Sequence, residues 1–362
     1  MLKKTFVIIL LPLLLATSGL LTASGLLTAC SKAPPAQMYF ALGTLCSINL
    51  FEDGNKQLYS RITSLLTEID MTMTAYSPKE WAILFGLAAV NAQAGTVSAA
   101  SPLLGVGSTF FDVLEKALYY AELSDGAFDP TVGPLVKLWG IGTEEEQIPD
   151  PDAIAAALKL VNWRDVEFDR RRGMVFLQRE GMALDFGAIA KGYAGDAVAQ
   201  LAREAKVKRA IFDFGGNIVT LGWREQKRGK EPLPWRVGVQ NPLGDRGNYI
   251  GVLQVHDKSV VTSGVYERFF ELDGKRYHHI FSTMNGYPVD NGLLSVTIVA
   301  DNSIDADALS TTVFTLGYEQ GKALIDSIPD IEALFIFDDR SVALTGNLAE
   351  IFELTNNAFT MK

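Results

Sequence analysis

Histidine and cysteine are both scarce in this sequence, and their scarcity excludes several kinds of site. The 362 residues include three histidines and two cysteines. His278 and His279 are adjacent and would point to opposite sides of a strand, so no histidine pair has the spacing of a zinc site. If Cys30 is modified, Cys46 has no partner within the chain and no disulfide can form. We therefore expect stability to come from an apolar core.

Motifs of the common nucleotide-binding folds are also missing. The segment 105–110 has only two of the three glycines of a dinucleotide fingerprint, and no Walker A sequence occurs. There is no Gly-x-Ser-x-Gly nucleophile elbow. The formal charge is −10, and it becomes −12 if Lys3 and Lys4 are removed with a leader. Because the basic residues form no stripe, we expect no nucleic acid partner.

The N-terminus has the pattern of a bacterial lipoprotein signal. Lys3 and Lys4 precede an apolar stretch that begins at Phe6 and ends in the lipobox Leu27-Thr28-Ala29-Cys30. This pattern predicts a signal peptide over 1–29, a lipid on Cys30, a short tether over 30–37 and a domain over 38–362. The protein would then be anchored to a membrane at Cys30 and face the periplasm.

An uncleaved membrane helix is the alternative for this stretch. It is disfavoured because small and polar residues interrupt the apolar run, namely Ser18, Gly19, Ser24 and Gly25. No later segment approaches the roughly 20 apolar residues that a second membrane span would need.

Helix and strand patterns are mixed along the rest of the chain. Helical spacing predicts helices at 57–70, 110–123, 149–160, 194–205, 303–316 and 320–328. Strand patterns occur at 45–50, 166–168, 174–178, 210–214, 218–221, 235–239, 251–255, 259–262, 268–272, 294–299, 333–337 and 341–344. Residues 80–107 have no clean period and receive no assignment. Because no regular beta-alpha-beta rhythm appears, we expect an α+β fold in one domain of two interleaved lobes.

Two distant stretches together have the composition of a metal-assisted phosphate site. In Asp185–Gly192 the small residues would let the backbone approach a ligand, and Lys191 supplies a positive charge near the start of a helix. In Ala306–Thr311, Asp307 and Thr311 are four residues apart, so a carboxylate and a hydroxyl would share one helix face. Such oxygen atoms could bind one hard cation.

Each of these features also has a purely structural explanation. Asp307 could simply stabilise the first turn of a helix that Ser303 or Asp305 caps. One of the two adjacent histidines could be a general base, although a structural histidine is the commoner case. The loop Ser124–Thr131 and the glycine pair before Asn217 could be ordinary turns or the walls of a ligand site.

Several of these stretches resemble the ApbE family of FAD:protein FMN transferases, and they occur in the family's order. They are Ser124–Trp139, Asp185–Asp196, Phe214–Asn217, Thr262–Arg268, His279–Pro288 and Ala306–Gly317. The resemblance implies an ApbE-like, T-fold-like domain with mixed or antiparallel sheets and flanking helices. It also implies Mg²⁺-dependent transfer of FMN from FAD to a Thr or Ser hydroxyl of an acceptor flavoprotein, such as a membrane redox-complex subunit, with release of AMP.

Site residues follow from the same resemblance. Mg²⁺ would be held by Asp307, Thr311 and the carbonyl of Ala188. The residues expected to bind FAD are Leu42, Tyr76, Ala127, Phe128, Asp129, Asp185, Lys191, His279 and Ile280. The catalytic residues would be His279, which would take the proton of the acceptor hydroxyl, together with Asp307 and Lys191.

The chain also departs from the family pattern. The family's Asp, Pro and Thr in the loop after the histidine are Ser282, Thr283 and Asn285 here, which is expected to loosen the loop. Glu80 and Asn91 are possible remnants of a further family segment. Two other readings therefore stay open: an FAD pyrophosphatase that gives FMN and AMP, and a flavin-binding lipoprotein without catalytic activity.

Overall fold

Sixteen strands and nine α-helices make up the part of the chain that the computed structural model describes, which is residues 35–75, 86–95 and 106–362. The strands are β1 (Gln37–Ala41), β2 (Thr44–Asn49), β3 (Val166–Asp169), β4 (Met174–Leu177), β5 (Ala210–Phe214), β6 (Ile218–Leu221), β7 (Trp235–Gln240), β8 (Tyr249–Val255), β9 (Ser259–Gly264), β10 (Phe269–Leu272), β11 (Lys275–His278), β12 (Leu293–Ala300), β13 (Glu332–Phe337), β14 (Ser341–Leu344), β15 (Phe352–Leu354) and β16 (Thr360–Met361). The helices are α1 (Lys56–Met73), α2 (Gly86–Ala92), α3 (Ser108–Leu123), α4 (Gly133–Trp139), α5 (Pro151–Leu158), α6 (Ala190–Glu204), α7 (Ser303–Leu316), α8 (Tyr318–Asp326) and α9 (Leu348–Ile351).

One large sheet organises these elements. Its nine strands lie in the order β1-β2-β5-β6-β9-β12-β13-β14-β16. All neighbouring strands are antiparallel except β14 and β16, which are parallel. A separate three-stranded sheet has the order β15-β8-β7, and β3-β4 and β10-β11 are hairpins. The α+β class predicted from the sequence is confirmed.

Both faces of the large sheet are covered, which explains the apolar character of its central strands. The larger apolar cluster joins buried residues of β2, β5 and β12 to α1, α3, α6 and α7. A second cluster joins the other face of the sheet to the three-stranded sheet, through residues such as Val260, Val299 and Leu253. A third, smaller cluster places Trp139 and Leu135 of α4 against Ile154 of α5 and Phe281.

Helices α6 and α7 cross at unusually short range because α6 has glycine at the crossing. A Cβ atom on Gly192 would lie 2.4 Å from the Ser303 carbonyl oxygen and 2.7 Å from the Asp307 Cβ atom. Asp196, one turn further along α6, accepts hydrogen bonds from the backbone N–H groups of Ser303 (2.7 Å) and Ile304 (2.9 Å). The first turn of α7 is therefore capped by a side chain of α6.

Most predicted elements are found within a few residues of their expected ends, but the start of α6 was predicted wrongly. The helix begins at Ala190 rather than Ala194, so Lys191 lies in its first turn. Gly192 and Gly195 reduced the helical signal, yet both are buried where α6 meets its neighbours. The expected caps of α7 are also wrong, because neither Ser303 nor Asp305 caps it and Asn302 makes no side-chain cap bond.

Cys46 lies on β2 and is completely buried. Burial raises the pKa of its thiol to about 11.

None of the helices in the described ranges is long and apolar enough to cross a membrane.

We expect Gly192→Ala to destabilise the fold, because the new methyl group would push α6 away from α7. Overpacking of this kind costs about 1 to 3 kcal/mol. Urea denaturation would measure the change in the free energy of unfolding. Gly107→Ala is the matched control, since Gly107 precedes α3 with no atom within 4 Å of the added Cβ. Equal stability of the two variants would contradict the close approach.

Candidate active site

The first turn of α6 and the second turn of α7 meet at the carboxylate of Asp307. The backbone N–H of Gly192 donates a hydrogen bond of 2.8 Å to one Asp307 oxygen. The ammonium group of Lys191 lies 3.6 Å from the other oxygen and 3.2 Å from the carbonyl oxygen of Gly187. Asp307 is buried, so an uncompensated charge would be costly at this position. The two stretches that the sequence marked as one site are therefore adjacent.

This contact leaves the carbonyl of Ala188 without a helical partner. In a regular helix the N–H of Gly192 would bond to this carbonyl, four residues earlier. That N–H bonds to Asp307 instead, whereas the next N–H, from Tyr193, bonds to Ile189 as usual. Among the hydrogen bonds of the described residues, none ends on the Ala188 oxygen. A backbone oxygen is thus available near the start of α6.

Thr311 brings its hydroxyl to the same helix face as Asp307. Its Oγ1 atom lies 3.1 Å from Oγ of Ser263 on β9, which also contacts Oγ of Ser310 at 2.8 Å. Three side-chain hydroxyls thus form a short chain beside the carboxylate. Hydroxyl oxygens keep acceptor lone pairs in such an arrangement.

These oxygens fit a hard cation better than a soft one. Across residues 35–75, 86–95 and 106–362, no three His, Cys, Asp or Glu side chains come together as a metal site. A cation here would depend on one carboxylate, one hydroxyl and one backbone carbonyl, with water in its other positions. Mg²⁺ suits this set, because it prefers oxygen ligands and usually keeps several waters.

Asp185 is held in place by backbone pairing with the loop after α3. Its N–H donates to the carbonyl of Pro130 at 2.7 Å, and Oδ1 accepts from the N–H of Gly187 at 2.7 Å. The side chain of Asn91 clamps the preceding residue, since it accepts from the N–H of Leu184 at 2.7 Å and donates to its carbonyl at 2.9 Å. Desolvation raises the pKa of the Asp185 carboxyl, against the opposing charges of Arg268 and Lys191.

In the segment 127–129, the side chains of Phe128 and Asp129 make contacts within the fold. Phe128 is buried in the main core. Both oxygens of Asp129 are bonded, one to the N–H and hydroxyl of Thr131 (2.8 and 2.6 Å) and the other to the N–H of Trp163 (3.0 Å). Asp129 therefore organises the loop, and burial raises its pKa. A ligand could contact Ala127 and the backbone here.

His278 and His279 have different environments, as their adjacency on a strand predicted. His278 is buried, donates from Nε2 to the Val289 carbonyl (2.8 Å) and accepts at Nδ1 from Ile280 N–H (3.3 Å). Both of its nitrogens are used, so this histidine is structural. His279 is partly exposed, and its Nδ1 lies 3.2 Å from the Arg268 carbonyl. A carbonyl can only accept, so Nδ1 carries the proton and Nε2 keeps its lone pair.

The environment of His279 favours the neutral imidazole. Burial, followed by the positive charges of Arg268 and Lys191, lowers its pKa to about 3, although its hydrogen bond to the Arg268 carbonyl acts in the other direction. The same two charges act on Asp185. His279, Asp185, Lys191 and Arg268 thus lie within electrostatic reach of one another.

Leu42, Ile280 and Tyr76 are the remaining residues that were expected to bind FAD. Leu42 has a positive φ of 54° in the β1–β2 turn, and its N–H is bonded to Asp70 of α1 at 2.8 Å. Ile280 is a core residue, and its backbone is already bonded, with the N–H donating to Nδ1 of His278 (3.3 Å) and the carbonyl accepting from the N–H of Val289 (2.9 Å). Tyr76, Glu80 and Cys30 lie outside the described residues.

Sequence reasoning did not single out Arg268, Ser263 or Asp70. Arg268 lies next to the β1–β2 turn, since its Nη2 atom is 3.1 Å from where a Cβ of Gly43 would be. Ser263 and Arg268 both fall within the family stretch Thr262–Arg268, so that stretch was the available signal. Asp70 lies on a regular amphipathic helix, and nothing in its spacing distinguishes it.

Comparison with known proteins decides which family this geometry belongs to. The model of the ApbE family matches residues 42–335. The chain belongs to the ApbE family. The match spans the β1–β2 turn, helices α6 and α7, and His278 and His279, so all of the described site lies within it.

ApbE relatives with curated names cover most of the chain. The FAD:protein FMN transferase of Treponema pallidum (strain Nichols) is 38% identical over 89% of this chain and 89% of its own length. That of Klebsiella pneumoniae (strain 342) is 41% identical over 66% of this chain and 72% of its own. Among solved structures, the ApbE protein of Thermotoga maritima superimposes with a TM-score of 0.75 at 29% identity, over 87% and 98% of the two chains.

We expect His279 to remain neutral over the range in which an ordinary histidine becomes protonated. Because its folded pKa is lowered, its imidazole NMR signals should keep neutral shifts between pH 8 and pH 5. Assignment would come from the signals lost in His279→Gln. A titration midpoint near the usual value of about 6.5 would contradict the described environment.

Proposed function

We propose that this protein transfers FMN from FAD to a Thr or Ser hydroxyl of an acceptor flavoprotein and releases AMP, with Mg²⁺ as the cofactor. The observation that carries the proposal is the contact of Gly192 with Asp307, which gathers a carboxylate, a lysine and a free carbonyl at one helix start. Relatives named FAD:protein FMN transferase that share this region support the reaction type.

Asp307, Thr311 and the carbonyl of Ala188 would hold the Mg²⁺ ion. Bound there, Mg²⁺ would neutralise charge on the diphosphate of FAD and make the phosphorus atom more electrophilic. Ser263 would orient the Thr311 hydroxyl, and the Gly192 N–H would fix the direction of the Asp307 carboxylate. These contacts of Ser263 and Gly192 matter because metal ligands that are held in one orientation bind the ion more tightly.

The chain's own residues would supply the remaining chemistry. The acceptor oxygen attacks the phosphorus of the FMN half, the bond from that phosphorus to the bridging oxygen breaks, and AMP leaves with that oxygen. Nε2 of His279 takes the proton of the acceptor hydroxyl and passes it to solvent. Lys191 would stabilise the negative charge that develops on the phosphoryl oxygens.

The altered loop after His279 is closed by internal hydrogen bonds and bonded to its neighbours, which supports a working site over a non-catalytic carrier. The N–H of Ser282 donates to the carbonyl of Tyr287 (2.8 Å), and the N–H of Gly286 donates to that of Ser282 (2.8 Å). Thr283 bonds to the carbonyl of Gly126 (2.7 Å), and Trp139 bonds to that of Gly286 (2.9 Å). These four bonds support a loop that keeps a defined shape despite its departures from the family pattern.

We further propose that the mature protein is a bacterial lipoprotein that faces the periplasm, with residues 30–37 as its tether. The support is the lipobox that ends at Cys30. Globomycin-sensitive processing and labelling with a palmitate analogue, each lost in Cys30→Ser, would test this proposal.

We expect Asp307→Asn to reduce Mg²⁺-dependent turnover of FAD at least about 100-fold, because the site would lose its charged metal ligand. The asparagine oxygen can still accept from Gly192, so the thermal midpoint should change by only a few degrees. His279→Gln should slow transfer by about 10² to 10⁴, a far larger loss than any weakening of FAD binding. Asp301→Asn is the control, since Asp301 is an exposed partner of Lys258.

The assay follows FAD, FMN and AMP by chromatography, and covalent flavin by fluorescence of the acceptor in a denaturing gel. Covalent flavin on the acceptor identifies a transferase. Free FMN and AMP with no labelled acceptor would identify a pyrophosphatase. Bound FAD that stays intact with Mg²⁺ present would show a carrier, and normal turnover by Asp307→Asn would remove this residue from the site.

A further inference from the structure

A cavity of about 670 Å³ lies on the other side of β9 from the Asp307 contact. Residues of β5, β6 and β9 form one wall, and β7 with the loop 242–247 forms the opposite wall. The cavity is lined by charged, aromatic and apolar side chains together. None of the residues that the preceding sections assign to metal or FAD lines it.

Strand β9 connects this cavity to the site. Ser263 directs its hydroxyl to Thr311 on α7, whereas the preceding residue, Thr262, lines the cavity. Adjacent residues of a strand point to opposite faces, so one strand separates the two spaces. Further along, Glu267 lines the cavity, and the carbonyl of the next residue, Arg268, holds the ring of His279.

The opposite wall of the cavity contains a strand with one free edge. Strand β7 pairs with β8 and with no other strand in the described ranges. Arg236, Val237 and Gly238 all line the cavity. Side chains of consecutive residues point to opposite faces of a strand, so one face alone could not bring all three residues to the cavity. We infer that the cavity borders the backbone edge of β7. An unpaired edge of six residues presents N–H and C=O groups over about 20 Å and can accept an extended peptide.

Two large apolar side chains are exposed at the cavity, one on the loop 242–247 and one at the start of β8. Leu243 is 51% exposed and Tyr249 is 49% exposed, and both line the cavity. Arg246 and Glu267 line it too, and burial raises the pKa of Glu267 while the positive charge of Arg246 opposes this shift. Exposed apolar side chains beside two opposite charges offer a polypeptide both apolar and polar contacts.

We propose that this cavity binds the acceptor protein, as an extended segment that pairs with the free edge of β7 and carries the Thr or Ser to be modified toward His279. The inference rests on the proposed transferase function. A transferase that acts on proteins must bind the residues around the target hydroxyl, and this cavity borders the chain segment that holds the catalytic histidine.

The first test is the Leu243→Glu variant, assayed with FAD, Mg²⁺ and a purified flavoprotein domain that carries the family's Thr-containing target sequence. We expect the KM for the acceptor to increase at least tenfold, while FAD affinity and acceptor-independent release of FMN stay as in the wild type. Leu233→Glu is the matched control, because Leu233 is 41% exposed and does not line the cavity.

Each other result would overturn the inference. An unchanged KM would show that the acceptor binds elsewhere, while the transferase function stands. Weaker FAD binding in Leu243→Glu would assign the cavity to the nucleotide. If the wild-type protein labels no acceptor, the proposed function fails and this inference fails with it.

The second test detects binding directly and does not rely on a substitution that weakens it. A photoreactive benzoylphenylalanine at position 243 should cross-link to the same acceptor domain, and one at position 233 should not. Excess acceptor without the photoreactive group should prevent the cross-link. Cross-linking to a second copy of the chain, or equal cross-linking from both positions, would overturn the proposal.

Discussion

The hydrogen bond from the Gly192 N–H to Asp307 is the contact on which the rest of the site depends. It requires two helices to approach so closely that no side chain fits at Gly192. The same bond takes the N–H that would otherwise satisfy Ala188, and so it leaves a backbone oxygen available. One packing constraint thereby sets the positions of three groups: the Asp307 carboxylate, the Ala188 carbonyl and the ammonium group of Lys191.

The surrounding structure keeps this arrangement rigid before any ligand is bound. Asp196 joins α6 to the start of α7, and Asn91 holds the segment that leads into Asp185. The positive charges of Arg268 and Lys191 disfavour protonation of His279. The same charges also oppose the rise in the pKa of Asp185 that desolvation causes. Fixed dipoles and charges of this kind need little rearrangement during a phosphoryl transfer, which is how such sites lower a barrier.

The sequence allowed much of this to be predicted, and the failures have physical causes. The apolar periods of α1 and α3 and the alternation in β5 gave nearly correct ends, because burial determines both pattern and element. The start of α6 was missed because Gly192 lowers the local helix propensity. Gly192 is needed there for its close contact with Asp307, which lies more than a hundred residues further along the chain. The roles of Asn91, Asp196 and Ser263 are of the same kind, since a long-range hydrogen bond leaves no periodic signal.

Burial of Cys46 on β2 has a consequence for how the domain tolerates its surroundings. A thiol that ionises only near pH 11 has almost no thiolate at neutral pH, and the thiolate is the species that attacks disulfides. The domain should thus be indifferent to redox potential, with neither a bridge to reduce nor a nucleophilic sulfur to oxidise. A cysteine introduced on its surface could be labelled selectively while the native one is kept.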